Sequence, residues 1–158
     1  MKNPVTLHIL VGTTTNTAEY VAQAIEMESA DQVDRIEVRL MDGLDASLFE
    51  EDAIYLICTA TYGTGDVPDN ARGLYESLLQ AQPLPGGIRY GVIALGDSVY
   101  PQTFCNGGQR FDTALRALGA TRVGELLCLD ASEDPDPETS ATRWCRAWLA
   151  QALAQEIH

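Results

Sequence analysis

The stretch Val5-Thr6-Leu7-His8-Ile9-Leu10-Val11-Gly12-Thr13-Thr14-Thr15-Asn16-Thr17-Ala18-Glu19-Tyr20-Val21-Ala22-Gln23-Ala24-Ile25 decides the fold. Val5 to Val11 is a compact apolar run ending at Gly12, the pattern of a strand buried on both faces. A helix is expected next: Asn16 with Glu19 three residues on reads as a capping box, and Ala18, Val21, Ala22 and Ile25 share one helical stripe. Strand, tight polar turn and amphipathic helix together make the first half of a βαβ unit.

The same alternation continues along the chain. Ile36, Val38 and Leu40 alternate with Glu37 and Arg39, which predicts a half-wet strand at a sheet edge. Ala53 to Thr59 is a second fully apolar run. After a Gly-rich turn, Ala71, Leu74 and Leu78 mark a helix opened by Asp66, Pro68 or Asp69. A strand from Tyr90 to Leu95 precedes a long loop and a helix carrying Phe111, Ala114, Leu115 and Leu118, closed by Gly119. Val123 to Leu129 reads as the last strand, Asp130 to Glu138 as an acidic connector, and Cys145, Trp148, Leu149 and Ala152 as the core stripe of a closing helix. Five strands alternating with helices imply a doubly wound, three-layer α/β/α domain with a parallel sheet, since parallel strands need right-handed crossovers that put helices on both faces. The order 2-1-3-4-5 suits an edge-like second strand beside the first. The whole chain, residues 1–158, is expected to form one domain.

Composition narrows the function. The 23 acidic residues against 10 basic ones give a formal charge of −13, and Lys2 is the sole lysine. Nucleic acid needs a basic face to displace counterions, and anionic membranes select against such a surface, so neither is an expected partner. A basic-faced protein partner is one reading of that charge, because long-range attraction speeds encounter, and solubility alone is the other. No apolar stretch is long enough to span a bilayer, and the N-terminal run lacks a small-residue cleavage site, so a cytoplasmic protein is expected. The four cysteines, Cys58, Cys105, Cys128 and Cys145, are scattered in apolar contexts without a C-x-x-C pair. They read as buried thiols rather than a disulfide framework or a metal site.

In an open parallel sheet the ligand crevice lies beyond the C-terminal strand ends, which directs attention to three loops. Gly12-Thr13-Thr14-Thr15-Asn16-Thr17 sets four hydroxyls and an amide at a helix N-terminus, where free N–H groups and the helix dipole favour a phosphate. It contains no lysine or arginine, which suits a phosphomonoester held by short hydrogen bonds better than a triphosphate with its Mg²⁺. Thr59-Ala60-Thr61-Tyr62-Gly63-Thr64-Gly65-Asp66-Val67-Pro68-Asp69-Asn70 and Leu95-Gly96-Asp97-Ser98-Val99-Tyr100-Pro101-Gln102-Thr103-Phe104-Cys105 each bring an aromatic to the same crevice, enough to enclose a planar ring.

In order and spacing these three segments resemble the FMN-binding loops of the flavodoxin-like family, most closely the MioC-like short flavodoxins and the FMN domains of diflavin reductases. The resemblance covers nearly the whole chain. It implies a flavodoxin-like fold in which Thr13, Thr14, Thr15, Asn16, Thr17 and Ala18 form the phosphate loop. It implies that Tyr62 and Tyr100 stack on opposite faces of the isoalloxazine while Ala60, Thr61, Gly63, Leu95, Gly96 and Asp97 contact its edge. Phe104 and Cys105 would line the far side, and Asp130 would approach from the last loop. Asn16 stands where the family usually has glycine, and one extra residue with Pro101 lies between Tyr100 and Phe104.

The function so implied is electron transfer by noncovalently bound FMN between a flavin reductase and an acceptor enzyme, with no catalytic residue and no metal in the protein itself and a monomer as the expected state. An alternative is an FMN-dependent NAD(P)H oxidoreductase acting on a small substrate such as a quinone; another is a partner-binding module that has lost its flavin. A response-regulator receiver is excluded, because Gly12-Thr13, Cys58-Thr59 and Leu129-Asp130 occupy the places where it needs paired acids, an aspartate and a lysine. The lack of a G-K-[ST] string and of a Cys-x5-Arg spacing removes P-loop nucleotidases and cysteine phosphatases.

Overall fold

A computed structural model describes residues 5–13, 16–49, 53–61, 65–100, 102 and 104–154. The elements in order are β1 (Thr6–Gly12), α1 (Thr17–Glu28), β2 (Arg35–Leu40), β3 (Ala53–Thr59), α2 (Arg72–Gln80), β4 (Arg89–Gly96), α3 (Asn106–Ala117), β5 (Thr121–Arg122), β6 (Leu127–Asp130) and α4 (Pro137–Ala154). Short 3₁₀ turns occupy Ala46–Leu48 and Asp69–Ala71. The sheet runs β2-β1-β3-β4-β5, all parallel, and β6 also pairs with β4. This is the expected 2-1-3-4-5 arrangement with one correction: the last strand is broken. Its two pieces lie along the same edge of β4, separated at Gly124, whose φ of +68 suits glycine and turns the chain out of the ladder.

The uninterrupted apolar runs are explained by what covers the sheet. Along β3, Ile54, Leu56 and Cys58 face a core shared with Val21 and Ile25 of α1 and Trp148 and Leu149 of α4. Tyr55 and Ile57 face the opposite core, with Leu74 and Leu78 of α2 and Phe111 and Leu115 of α3. Both faces are therefore dry, and alternation in the sequence disappears. β2 is the exposed edge, as its alternation indicates, although Leu40 at its end remains 44% exposed.

Register brings the strand ends level. Gly12 pairs with Thr59, Thr59 with Ala94, and Gly96 with Asp130. Gly12 is required here for close approach: a Cβ would overlap the Thr59 hydroxyl and press on Ala71 and Met41. The three hydroxyl-rich and glycine-rich loops therefore leave the sheet from one line.

The cysteine reading is corrected in part. Cys58 and Cys145 are buried thiols, but Cys105 and Cys128 form a disulfide with Cα atoms 6.0 Å apart. Cys105 precedes α3, and Cys128 lies on β6, which flanks β4 across from β3. The crossover from β4 through α3 to β6 brings them together, a relation that the sequence separation of 23 hides.

Candidate functional site

The first loop leaves β1 at Thr13. The Thr13 amide donates to Asn70 Oδ1 at 2.9 Å, and Asn70 Nδ2 donates back to the Val11 carbonyl at 3.1 Å. One side chain from the segment before α2 thus brackets the end of β1. The Thr13 hydroxyl oxygen is shielded from solvent and has no hydrogen-bond partner among the described residues. A shielded donor without a partner is costly, and a ligand oxygen beside the loop would satisfy it. Asn16 is the N-cap of α1, yet its side chain makes no capping hydrogen bond, so the expected capping box does not form. That leaves the first amides of α1 without the usual side-chain acceptor. Asn16 has φ −83, an ordinary right-handed conformation, so glycine's freedom is not needed at this position. Thr17 faces a neighbouring cleft, and Ala18 is buried against the core.

The second loop is held from below. Thr61 Oγ1 donates to the Leu95 carbonyl at 3.1 Å and accepts from the Gly107 amide at 3.0 Å, which ties the loop to β4 and to the start of α3. Gly107 is needed because a Cβ would collide with the Ala60 carbonyl. Asn106 Nδ2 and Arg110 Nε both donate to the Gly65 carbonyl, at 2.7 and 2.8 Å. Tyr62 and Gly63 lie outside the described residues, as do Thr14 and Thr15 of the first loop.

The third loop is organised by carboxylates. Asp97 accepts from the Val99 amide at 3.0 Å and from the Ser132 hydroxyl, while the Tyr100 amide closes a turn onto the Asp97 carbonyl at 2.9 Å. Asp130, at the end of β6, accepts from the amides of Ser98 and Ser132, both at 3.0 Å. Hydrogen bonding from Ser98, through its side chain and then its amide, holds the Asp130 carboxyl below its ordinary value. Val99 and Tyr100 project outward, 65% and 64% exposed. Phe104 is half-buried against the α2/α3 core, and Cys105 is fully buried with its sulfur bonded to Cys128. A cleft of about 210 Å³ lies between these loops and α4, lined by Thr17, Leu95, Gly96, Asp130 and Asp134 among others. The structure therefore gathers Thr13, Asn16, Thr17, Ala60, Thr61, Leu95, Gly96, Asp97 and Asp130 at one end of the sheet.

Comparison with known proteins agrees with this arrangement. The family model for flavodoxins matches residues 9–144. The chain belongs to the flavodoxin family. It is 40% identical over 140 residues to flavodoxin YqcA of Escherichia coli, covering 89% of this chain and 93% of that protein. To protein MioC of Escherichia coli it is 32% identical over 144 residues, covering 89% of this chain and 94% of the other. A solved cysteine mutant of a flavodoxin from Pseudomonas aeruginosa superposes with a TM-score of 0.79 at 33% identity, covering 94% of this chain and 99% of that one. This is a flavodoxin-family electron-transfer protein.

Three residues of this flavodoxin-family site carry no assignment from sequence alone. Asn70 is the last letter of the second loop, and nothing local shows that its amide reaches back to β1. Asn106 and Arg110 lie on α3 outside the three loops, and they hold the second loop by its Gly65 carbonyl. No group of histidines, cysteines and carboxylates suited to a metal occurs among the described residues, and no helix among them is long and apolar enough to cross a membrane.

Proposed function

We propose that the chain binds one FMN noncovalently across its three strand-end loops and carries electrons between a flavin reductase and an acceptor enzyme in the cytoplasm. The observation that supports FMN most directly is the shielded Thr13 hydroxyl, which has no partner among the described residues, beside a start of α1 that the Asn16 side chain does not cap. In this reading Thr13, Thr14, Thr15, Asn16, Thr17 and the Ala18 amide hold the phosphate with neutral donors and the positive end of the α1 dipole. Tyr62 and Tyr100 enclose the ring. The backbones of Ala60, Thr61, Gly63, Leu95, Gly96 and Asp97 meet its edge, and Phe104 with the Cys105 backbone closes the far side. When bound, FMN supplies reversible one- and two-electron redox chemistry.

The chain's own residues orient and tune. Thr61 keeps the second loop fixed to β4, and Asp97 and Asp130 fix the third loop through amides that would otherwise be free. The same carboxylates, with Asp134 at the cleft, set negative charge beside the site and disfavour any further negative charge there, which lowers the potential at which the carrier accepts electrons. Across the whole chain the charge of −13 attracts basic-faced partners. In the cytoplasm the Cys105–Cys128 bond meets reducing thiols, and the full burial of Cys105 limits their access.

Stopped-flow reduction of the FMN-loaded chain by a flavin reductase tests this reading. The expected result is saturable reduction that slows as ionic strength rises, with negligible NAD(P)H oxidation by the chain alone. Rapid NAD(P)H oxidation with a quinone and no added reductase would replace the carrier with a stand-alone oxidoreductase.

A further inference from the structure

We propose that Asn70 is the positioning residue that sets the preference for a phosphorylated over an unphosphorylated flavin. The proposal rests on the FMN reading above and adds a residue to it.

At the end of β1 the backbone runs out of strand partners. Val11 still has a neighbour, since its carbonyl accepts from the Met41 amide at 3.0 Å, and the Gly12 carbonyl accepts from the Ala60 amide at 2.8 Å. Thr13 lies beyond the last paired position of β1. Asn70 supplies the missing partner from 57 residues away: its Oδ1 takes the Thr13 amide, and its Nδ2 takes the second lone pair of the Val11 carbonyl. The same Nδ2 lies 3.3 Å from the Asp42 carboxylate, so one amide joins the end of β1, the segment after β2 and the turn before α2. Only a side chain with an acceptor and two donors at this reach can make all three bonds.

The consequence falls on the phosphate end. The amide that Asn70 fixes belongs to the residue whose hydroxyl is shielded and has no partner among the described residues. Holding the Thr13 backbone in place aims that hydroxyl. The hydrogen bonds of Asn70 go to Thr13, Val11 and Asp42, none of which is placed against the ring in the reading above. Its loss should therefore loosen the phosphate grip and leave ring binding intact.

The test compares FMN with riboflavin. Dissociation constants for both are measured by fluorescence quenching on wild type, Asn70→Ala and Asn70→Asp, together with amide exchange at Thr13 in the apoprotein. Loss of two or three hydrogen bonds that preorganise the loop is expected to weaken FMN binding roughly 10- to 100-fold. Riboflavin binding should change by less than about twofold, since its contacts are unaltered. Thr13 exchange should accelerate in Asn70→Ala. Asn70→Asp keeps the acceptor for Thr13, loses both donations and faces the Asp42 carboxylate, so it should also shrink the FMN-to-riboflavin ratio and serves if the alanine variant does not fold. An unchanged ratio in a folded variant, an equal loss for both flavins, or Thr13 exchange as slow as in wild type would overturn the proposal. Failure of the wild-type chain to bind FMN would instead overturn the reading on which it rests, and exchange at Thr13 would then alone decide whether Asn70 holds the loop.

Discussion

Replacing Thr13 by valine should move stability and affinity in opposite directions. The two side chains are nearly isosteric, so packing is preserved and only the hydroxyl is lost. In the apoprotein that hydroxyl is shielded and has no partner among the described residues, a situation that costs about 1–3 kcal/mol. Thr13→Val should therefore stabilise the apoprotein by about 1 kcal/mol, at the lower end because the residue as a whole is only partly buried. For a chain of this length that is a rise in Tm of roughly 2–4 °C. With FMN the sign reverses: a hydrogen bond to a phosphate oxygen is charge-assisted, and its loss should cost about 1.5–3 kcal/mol, a roughly 10- to 150-fold weaker Kd. Thermal melts of the apoprotein and a fluorescence titration with FMN measure the two effects on the same preparation. A variant that is less stable than wild type, or that binds FMN as tightly, would refute the reasoning, because the hydroxyl would then be satisfied within the protein or idle toward the ligand.

Other outcomes follow from the cysteines and the third loop. Burial pushes the Cys58 and Cys145 thiols up to about 12 from 9.0, so both stay neutral in the folded chain while the unfolded chain ionises. A raised folded value means that this stabilisation is complete below pH 9 and is lost as pH rises toward about 12, at up to about 1.4 kcal/mol per pH unit for each thiol; Cys58→Ala should flatten the alkaline limb of a stability-against-pH curve. Intact-mass alkylation of the denatured, unreduced chain should modify two of the four cysteines and all four after reduction; four without reductant would contradict the Cys105–Cys128 bond. Its 23-residue separation should make reduction cost about 3 kcal/mol, visible as a lower Tm in dithiothreitol. The depressed Asp130 carboxyl has the opposite sign: its hold on the third loop is complete above 3.8 and fades as pH falls further, so the protection factor of the Ser98 amide, its exchange rate corrected for the intrinsic rate at each pH, should drop in acid, and Asp130→Asn should remove that dependence.

The helices and strands were legible because each apolar stripe or run has one physical cause. Val21 and Ile25 recur at helical spacing because one face of α1 meets the sheet, and Ala53 to Cys58 is uniformly apolar because both sheet faces are covered. The positions of the three loops followed from the sheet, since parallel strands of this order align their C-terminal ends. What escaped was non-local. The break between β5 and β6 depends on Gly124 at a positive φ, and an apolar stretch does not show where a ladder is interrupted. The Cys105–Cys128 pairing depends on a crossover, and the reach of Asn70 to Thr13 depends on two strands being neighbours. The capping box fails for a different reason: Asn16 occupies the N-cap in a right-handed helical conformation instead of the extended one usual for a capping residue, and its side chain makes no capping bond.

The central claim is that neutral hydroxyls and amides at the end of β1, facing two aromatic-bearing loops, hold a phosphorylated flavin. Titrating the apoprotein into free FMN under a fluorimeter tests it directly. The account predicts a sharp quench that saturates at one flavin per chain, whereas emission that stays at the level of free FMN through a molar excess of protein would contradict it.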